Sequence, residues 1–208
     1  MDKFLKIIQE SKKAKPSAQI NELSMNRWSP RSFKQTSIEN EKLMSVFEAA
    51  RWSASAFNEQ PWRFIIGKNG DDTFKKIFDS LVEFNQNWTK NASVLVLNIY
   101  KKTFTHNSKP NATAAYDLGQ AVSAYVLEAV NQGLISHQMS GFDAKKAAES
   151  FKLSDNFACI SVTALGYLDK PDSLPEELFK VELQNRMRKN IDQLVFIDQL
   201  EKTSFEIA

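Results

Sequence analysis

The chain of 208 residues contains one cysteine, Cys159, and two histidines, His106 and His137. One cysteine excludes an intrachain disulfide and any cysteine-based metal framework, and the two histidines do not have metal-ligand spacing. The six glycines are scattered, and none forms a Gly-rich phosphate loop of the dinucleotide or Walker type. With so few His and Cys, no Ser-His-Asp or Cys-His constellation is readable. No stretch approaches the roughly 20 apolar residues of a membrane span. Residues Met1 to Lys15 intersperse Phe4, Leu5, Ile7 and Ile8 with five lysines, unlike the uninterrupted apolar run of a secretory signal. Charge of one sign is scarce too: 27 Lys and Arg against 25 Asp and Glu leave +2, too balanced for a nucleic-acid or anionic-membrane face. The expectation is a cytoplasmic protein without a bound metal. These absences point away from side chains that do covalent chemistry and leave open an enzyme whose cofactor does it.

What is present is an ordinary globular mixture, 42% apolar and 25% charged, with enough length for one sizeable core. Residues 1–18 read as an N-terminal extension, a short amphipathic helix followed by a break at Pro16, packing on the surface. Residues 19–208 read as a single domain. Thr36-x-x-Glu39 fits a capping box for a helix ending near Trp52, with Leu43, Val46, Phe47 and Ala50 at helical spacing. Trp62 to Ile66 is strand-like, with Gly67 and Gly70 as its stop. A second amphipathic helix carries Phe74, Ile77, Phe78 and Leu81. Ser93 to Tyr100 is apolar on both faces, as in a covered central strand. Asn111 to Gly133 reads as one long helix so poor in charge that core or subunit interface must cover it. Leu134 to Met139 and Ile160 to Tyr167 are two more strands, separated by a helix capped by Asp143. Pro175 opens a last helix, and Val195 to Ala208 is spaced like a strand. The fold class is α+β around one mixed or antiparallel sheet. Cys159 lies in an apolar strand and reads as a small core residue without a catalytic part.

Three segments carry chemical interest. In Arg27 to Arg31 (RWSPR), Pro30 favours an extended Ser29, so Arg27, Ser29 and Arg31 project to one side. Guanidinium groups there suit a phosphate, and a solvated turn with two surface arginines is the competing reading. Ala50 to Phe64 passes from a helix end through small polar residues to Asn58, Gln60 and an aromatic-flanked Pro61. That composition lets backbone approach a flat ring rimmed with donors and acceptors, or simply caps a helix before a strand. Arg186 to Lys189 (RMRK) places three cations in four residues near the end of the last helix. They either bind an anion or complement the helix C-terminus. His137 reads as structural.

In their order along the chain, these segments resemble the nitroreductase family of flavoproteins. The similarity runs through RWSPRSF at Arg27–Phe33, AARWSASAFNEQPWRF at Ala49–Phe64 and FNQNWTKNASVLVL at Phe84–Leu97. It continues in DLGQAVSAYVLEAVNQGL at Asp117–Leu134, MSGFD at Met139–Asp143 and ALGY at Ala164–Tyr167, covering roughly Asn21 to Asp198.

The resemblance implies an intertwined homodimer with FMN bound at the subunit junction. It assigns the FMN phosphate and ring edge to Arg27, Trp28, Ser29 and Arg31. The loop carrying Ala54, Ser55, Ala56 and Asn58 would reach the flavin from the other subunit. Asn85 would meet the pyrimidine side, backbone at Met139, Ser140 and Gly141 would approach flavin N5, and Arg186 and Arg188 would join the phosphate. Two departures stand out. Ser53-Ala54-Ser55 replaces a common Ala-Pro-Ser, and Gln138-Met139-Ser140 precedes Gly141 where relatives often have Trp, which bears on substrate preference. The implied activity is a ping-pong cycle in which NADH or NADPH gives a hydride to FMN and a nitroaromatic, quinone or related acceptor removes it. Competing readings are a different reductase on the same fold, a non-catalytic FMN-binding or redox-sensing protein, and a flavin-free interaction module.

Overall fold

The computed structural model describes residues 3–202. Five strands form the sheet: β1 (Phe33–Lys34), β2 (Trp62–Lys68), β3 (Val94–Lys101), β4 (Ile135–Met139) and β5 (Phe157–Leu168). Every pairing is antiparallel, so the mixed alternative is set aside. β5 is the spine. It pairs with β3 along one edge, with β4 on the other, and with β1 at its far end. A register shift between Asn98 and Ile99 bulges β5 at Ile160, whose side chain is turned outward.

Helices cover both faces, which is why the β3 sequence is apolar throughout. Val94 and Val96 face α3 (Asn40–Arg51) and α6 (Ala114–Asn131), against Val46, Leu118, Val122 and Tyr125. Leu95, Leu97 and Ile99 face the opposite core, with Phe74 and Ile77 of α4 (Asp72–Ser80), Trp88 of α5 (Glu83–Thr89) and Ala147 of α7 (Ala144–Ser150). One polar cluster crosses the first core. The Tyr125 hydroxyl lies 2.9 Å from Asn98 Oδ1 and 2.6 Å from Thr163 Oγ1, and Asn98 Nδ2 donates to Thr163 Oγ1 at 2.9 Å. Buried groups so paired fix the height of α6 over β3 and β5.

Several element ends differ from the sequence reading. The Thr36–Glu39 capping box does not form. α3 starts at Asn40, with Glu39 as an N-cap that makes no side-chain bond. Thr36 instead belongs to the chain beside β3, where its carbonyl accepts from Ser93 Oγ at 2.6 Å. α2 (Glu22–Asn26) and α5 were not separable from their surroundings by periodicity, being five and seven residues long. The last helix, α8 (Glu176–Leu183), ends before Arg186, so the RMRK segment lies beyond the helix and does not cap it. Residues 195–202 form no strand, and the remainder of that reading lies outside the described residues. Asp71 and Asp143 cap α4 and α7 by accepting from Phe74 N (2.6 Å) and Lys146 N (2.9 Å).

β2 runs through Gly67 instead of stopping there, because the glycine is needed for packing. A Cβ at Gly67 would lie 2.2 Å from Phe74 N and 2.4 Å from Phe74 Cα, both backbone atoms at the start of α4. The helix therefore sits directly on the strand. Gly67→Ala should lower stability by about 3 kcal/mol, the upper part of the range for overpacking. Urea unfolding at constant m-value is the check, and a change below about 0.5 kcal/mol, as at a tolerant surface site, would contradict the close approach.

Candidate functional site

The first basic segment and the RMRK segment, more than 150 positions apart, meet in one cleft of about 250 Å³. Its walls bring together Arg27, Trp28, Ser29 and Arg31 with Glu182, Arg186 and Arg188. Arg27 Nη1 donates to Ser29 Oγ at 3.1 Å, as an extended Ser29 allows. Lys12, from the N-terminal extension, also lines the cleft and is only 5% exposed. The extension lies on the surface as expected, anchored by the buried Ile8 of α1 (Lys3–Ser11) and by Lys12, whose burial its lysine-rich sequence did not announce.

The charge balance of this cleft is unusual. Five cations (Lys12, Arg27, Arg31, Arg186 and Arg188) line it with one carboxylate, Glu182, which is 2% exposed. Glu182 Oε1 accepts from Arg31 N at 2.8 Å, and Oε2 lies 3.8 Å from Arg31 Nη1. Burial pushes the Glu182 carboxyl upward, against the opposing pull of Arg31 and Lys12. Burial, then the charges of Arg186 and Arg188, push the Arg27 guanidinium below its ordinary value. Arg31 Nε is buried without a hydrogen-bond partner, and such a donor costs free energy unless something accepts from it. The donors, the excess positive charge and the orphaned nitrogen suit a compact dianion such as a phosphate group. The four arginines are not equivalent. Arg186 Nη1 donates to the carbonyls of Lys12 and Met25, both at 3.0 Å, and so ties chain segments together. Among the described residues, Arg188 bonds only the neighbouring Met187 carbonyl, at 2.7 Å.

A second group of expected residues gathers at the end of β4. Asn85 Nδ2 donates to Gly141 O at 2.9 Å, and Val82 N donates to the same carbonyl at 3.1 Å. A Cβ at Gly141 would lie 2.7 Å from Asn85 Nδ2, so only glycine lets the amide sit on this backbone. Asn85 thus shapes the Met139–Ser140–Gly141 step. His137 joins this group to the cation cleft. Two residues before Met139, its Nδ1 lies 3.1 Å from Pro30 O, and its ring is 4.6 Å from that of Trp88.

Ala54, Ser55, Ala56 and Asn58 are not among the residues lining the cleft. Their loop is held against α6, with Ala56 N donating to the buried Asp117 carboxylate at 3.2 Å and Gln60 N to Ser55 Oγ at 3.0 Å. Phe57, Asn58 and Gln60 have positive φ of 54°, 54° and 51°. Such values are uncommon outside glycine, above all for a bulky Phe, and mark strain held by the surroundings. Ser53 Oγ is buried without a partner in the same stretch. Cys159 is a free, half-buried thiol on β5, pushed up by burial and remote from these groups in sequence. A larger cleft of about 550 Å³, near Thr36, Lys68 and Asn91, pairs its polar groups internally, as in Gln35–Asn91 and Lys68–Asn40 at 2.8 Å each. It presents no comparable unmet charge. Among the described residues, no cluster of His, Cys, Asp and Glu suits a metal ion.

The ring of His137 gives a measurable consequence. Burial first, then the Arg31 charge, push the imidazole down to about 4, so it is neutral in the folded protein near pH 7. The unfolded chain takes up this proton at about 6.5. Because the unfolded state binds more protons between those values, stability from this group is lost as pH falls from about 6.5 to 4. His137→Gln should flatten the stability profile in that window, and the ring should titrate near 4 by NMR. A ring titrating near 6.5 would show that it is not packed as described.

A model of the nitroreductase family matches residues 25–88. A solved structure described as an oxidoreductase containing FMN is 30% identical, with 89% of this chain and 94% of that one covered, at a TM-score of 0.84. A nitroreductase family protein from Clostridium difficile 630 shares the fold at 24% identity, covering 88% and 100%, with a TM-score of 0.69. An oxygen-insensitive NADPH nitroreductase of Helicobacter acinonychis is 28% identical over 164 residues, 61% of this chain and 77% of that protein. Carried by this similarity and by a sheet and helix arrangement common to both structures, the conclusion is that the chain belongs to the nitroreductase family.

Proposed function

We propose that this protein is an FMN-dependent oxidoreductase, acting as a homodimer that takes reducing equivalents from NADH or NADPH and passes them to nitroaromatic, quinone or related acceptors. The observation that carries the reading is the cleft of five cations around one carboxylate, with a buried, unpartnered Arg31 Nε. The similar oxidoreductase contains FMN, whose terminal phosphate has the charge this cleft lacks. In this reading residues 19–208 are the flavin domain. The setting is the cytoplasm, in keeping with the lack of any described helix long and apolar enough to cross a membrane.

FMN, when bound, supplies the redox chemistry, cycling between oxidised and reduced ring. The work of the chain is to bind and orient it. Arg27, Arg31 and Arg188 hold the phosphate by charge-assisted hydrogen bonds, while Arg186 fixes the segment they stand on. His137, kept neutral, meets the Pro30 carbonyl and so ties the RWSPR segment to β4. Asn85 pins Gly141, so that the backbone of Met139–Gly141 would present fixed donors to the ring of bound FMN. The strained loop carrying Ala54, Ser55, Ala56 and Asn58 closes the site of the partner subunit. No side-chain acid or base is assigned.

Apolar exposure supports the dimer. Met44, Trp52, Phe57 and Tyr116 are 71%, 75%, 86% and 71% exposed, on α3, α6 and the loop after α3. On α6, Ala115, Gly119 and Ser123 leave a smooth, open face between them. In the dimer reading these exposed side chains are what the partner subunit covers. Sedimentation should therefore give a dimer at micromolar concentration. A folded monomer loaded with FMN would refute it.

Arg188→Ala tests the phosphate assignment most cleanly, because that arginine holds no other segment. It should weaken FMN binding by roughly ten- to a hundredfold, the worth of one hydrogen bond to a charged group, and leave riboflavin binding nearly unchanged. Titration of apo-protein with both ligands decides it, and equal losses would assign the arginine to the fold. Anaerobic bleaching of the wild-type flavin by NADH or NADPH, then reoxidation by an acceptor, tests turnover. A flavin that binds but is not bleached would make this an FMN-binding protein without reductase activity.

A further inference from the structure

Lys12 stands outside the segments that resemble the family, yet its ammonium lies inside the cation cleft. Burying an ammonium is costly unless partners replace its water. Its partners here are few: the Gln184 carbonyl, and the face of Trp28 at 5.0 Å from the ring centroid. The single carboxylate within its influence, Glu182, is already engaged by Arg31 N, and Arg31 and Arg186 repel it. Burial pushes Lys12 below its ordinary value, and the two arginines add to that. The backbone around it is bound to the same cluster. Arg186 Nη1 bridges the carbonyls of Lys12 and Met25, and Ala14 N donates to Met25 O at 2.9 Å. The chain thus folds a lysine onto four arginines and locks it there, an arrangement that is unfavourable until an anion arrives.

We infer that the N-terminal segment is a built part of the phosphate site: Lys12 donates to the phosphate of bound FMN, so that docking of α1 and FMN binding stabilise each other. The inference rests on the FMN reading above. An ammonium has three N–H groups, and Gln184 O takes one, leaving two for the ligand. The phosphate neutralises the repulsion among Lys12, Arg31 and Arg186, which is the source of the coupling. By linkage, whatever FMN gains from a docked α1, α1 gains from FMN. Riboflavin, lacking the phosphate, gives none of this.

The test uses the full chain as apo-protein, titrated with FMN and with riboflavin, in wild-type, Lys12→Met and Lys12→Arg forms. Lys12→Met should weaken FMN about tenfold or more, as for loss of one charge-assisted hydrogen bond, with riboflavin unaffected. Lys12→Arg should restore most of the loss. In the wild type, FMN but not riboflavin should slow amide hydrogen exchange over residues 3–13, a readout that does not depend on how well any variant folds. Unchanged FMN affinity in Lys12→Met, equal losses for both ligands, or unaltered exchange over 3–13 would each overturn the inference. Tighter FMN binding by Lys12→Met would also overturn it, because α1 would then be a plug. Should Arg188→Ala lose FMN while Lys12→Met does not, the FMN reading stands and this one falls. A wild type that binds neither flavin removes both.

Discussion

Five cations drawn around one carboxylate are not an arrangement that folding alone favours. Each guanidinium or ammonium that leaves water loses hydration, and each like-charged neighbour adds to the cost. Glu182 makes the arrangement possible, since its carboxylate receives Arg31 N and faces Arg31 Nη1. It cannot balance the rest, because one negative charge is shared among Lys12, Arg27, Arg31, Arg186 and Arg188. The residual positive field, together with the unpaired Arg31 Nε, is best understood as stored for a ligand. In the proposed reading, a phosphate filling the cleft would stabilise the folded chain by binding it.

The fold supplies the rigidity that such a cluster needs. β5 carries β3 on one edge and β4 on the other, so the site at the end of β4 is referred directly to the centre of the sheet. From there a short relay of contacts sets the geometry. Trp88 packs against Phe33 and His137, His137 meets Pro30 O, and Pro30 lies between Ser29 and Arg31. A neutral imidazole is the right joint for this position. A charged one would add a sixth cation beside Arg31, and burial together with Arg31 prevents that. Asn85 plays the corresponding part for Gly141 from the other side.

Much of this was legible in the sequence, for definite physical reasons. Alternating cores on both faces of β3 require an apolar run, and that run stood out. Asp143 and Pro175 announced helix starts because capping is local chemistry. The grouping of Arg27 with Arg188 was not legible from spacing, since nothing in the intervening residues fixes their separation; only similarity to a family suggested it. Short helices such as α2 and α5 have too few turns to display a period. The Thr36–Glu39 box misled because α3 starts at Asn40, while the Thr36 backbone is held by the Ser93 hydroxyl, a tertiary bond that local pattern cannot foresee. His137 was read as structural, and the structure gives that word content: it is the joint between two halves of the site.

The arginines also show why a count of cations is a poor guide to a binding site. Arg186 and Arg188 are two positions apart and read alike in sequence. The first spends its Nη1 on two backbone carbonyls from separate segments, so its removal would release the N-terminal segment as well as a charge. The second, among the described residues, bonds only the carbonyl of the adjoining residue. In the proposed function, the guanidinium that holds chain segments positions the site, and the one without such ties binds the phosphate. Among the described residues 3–18, none belongs to either main core, and the bond from Arg186 Nη1 to the Lys12 carbonyl is one of the ties that hold them at the cleft.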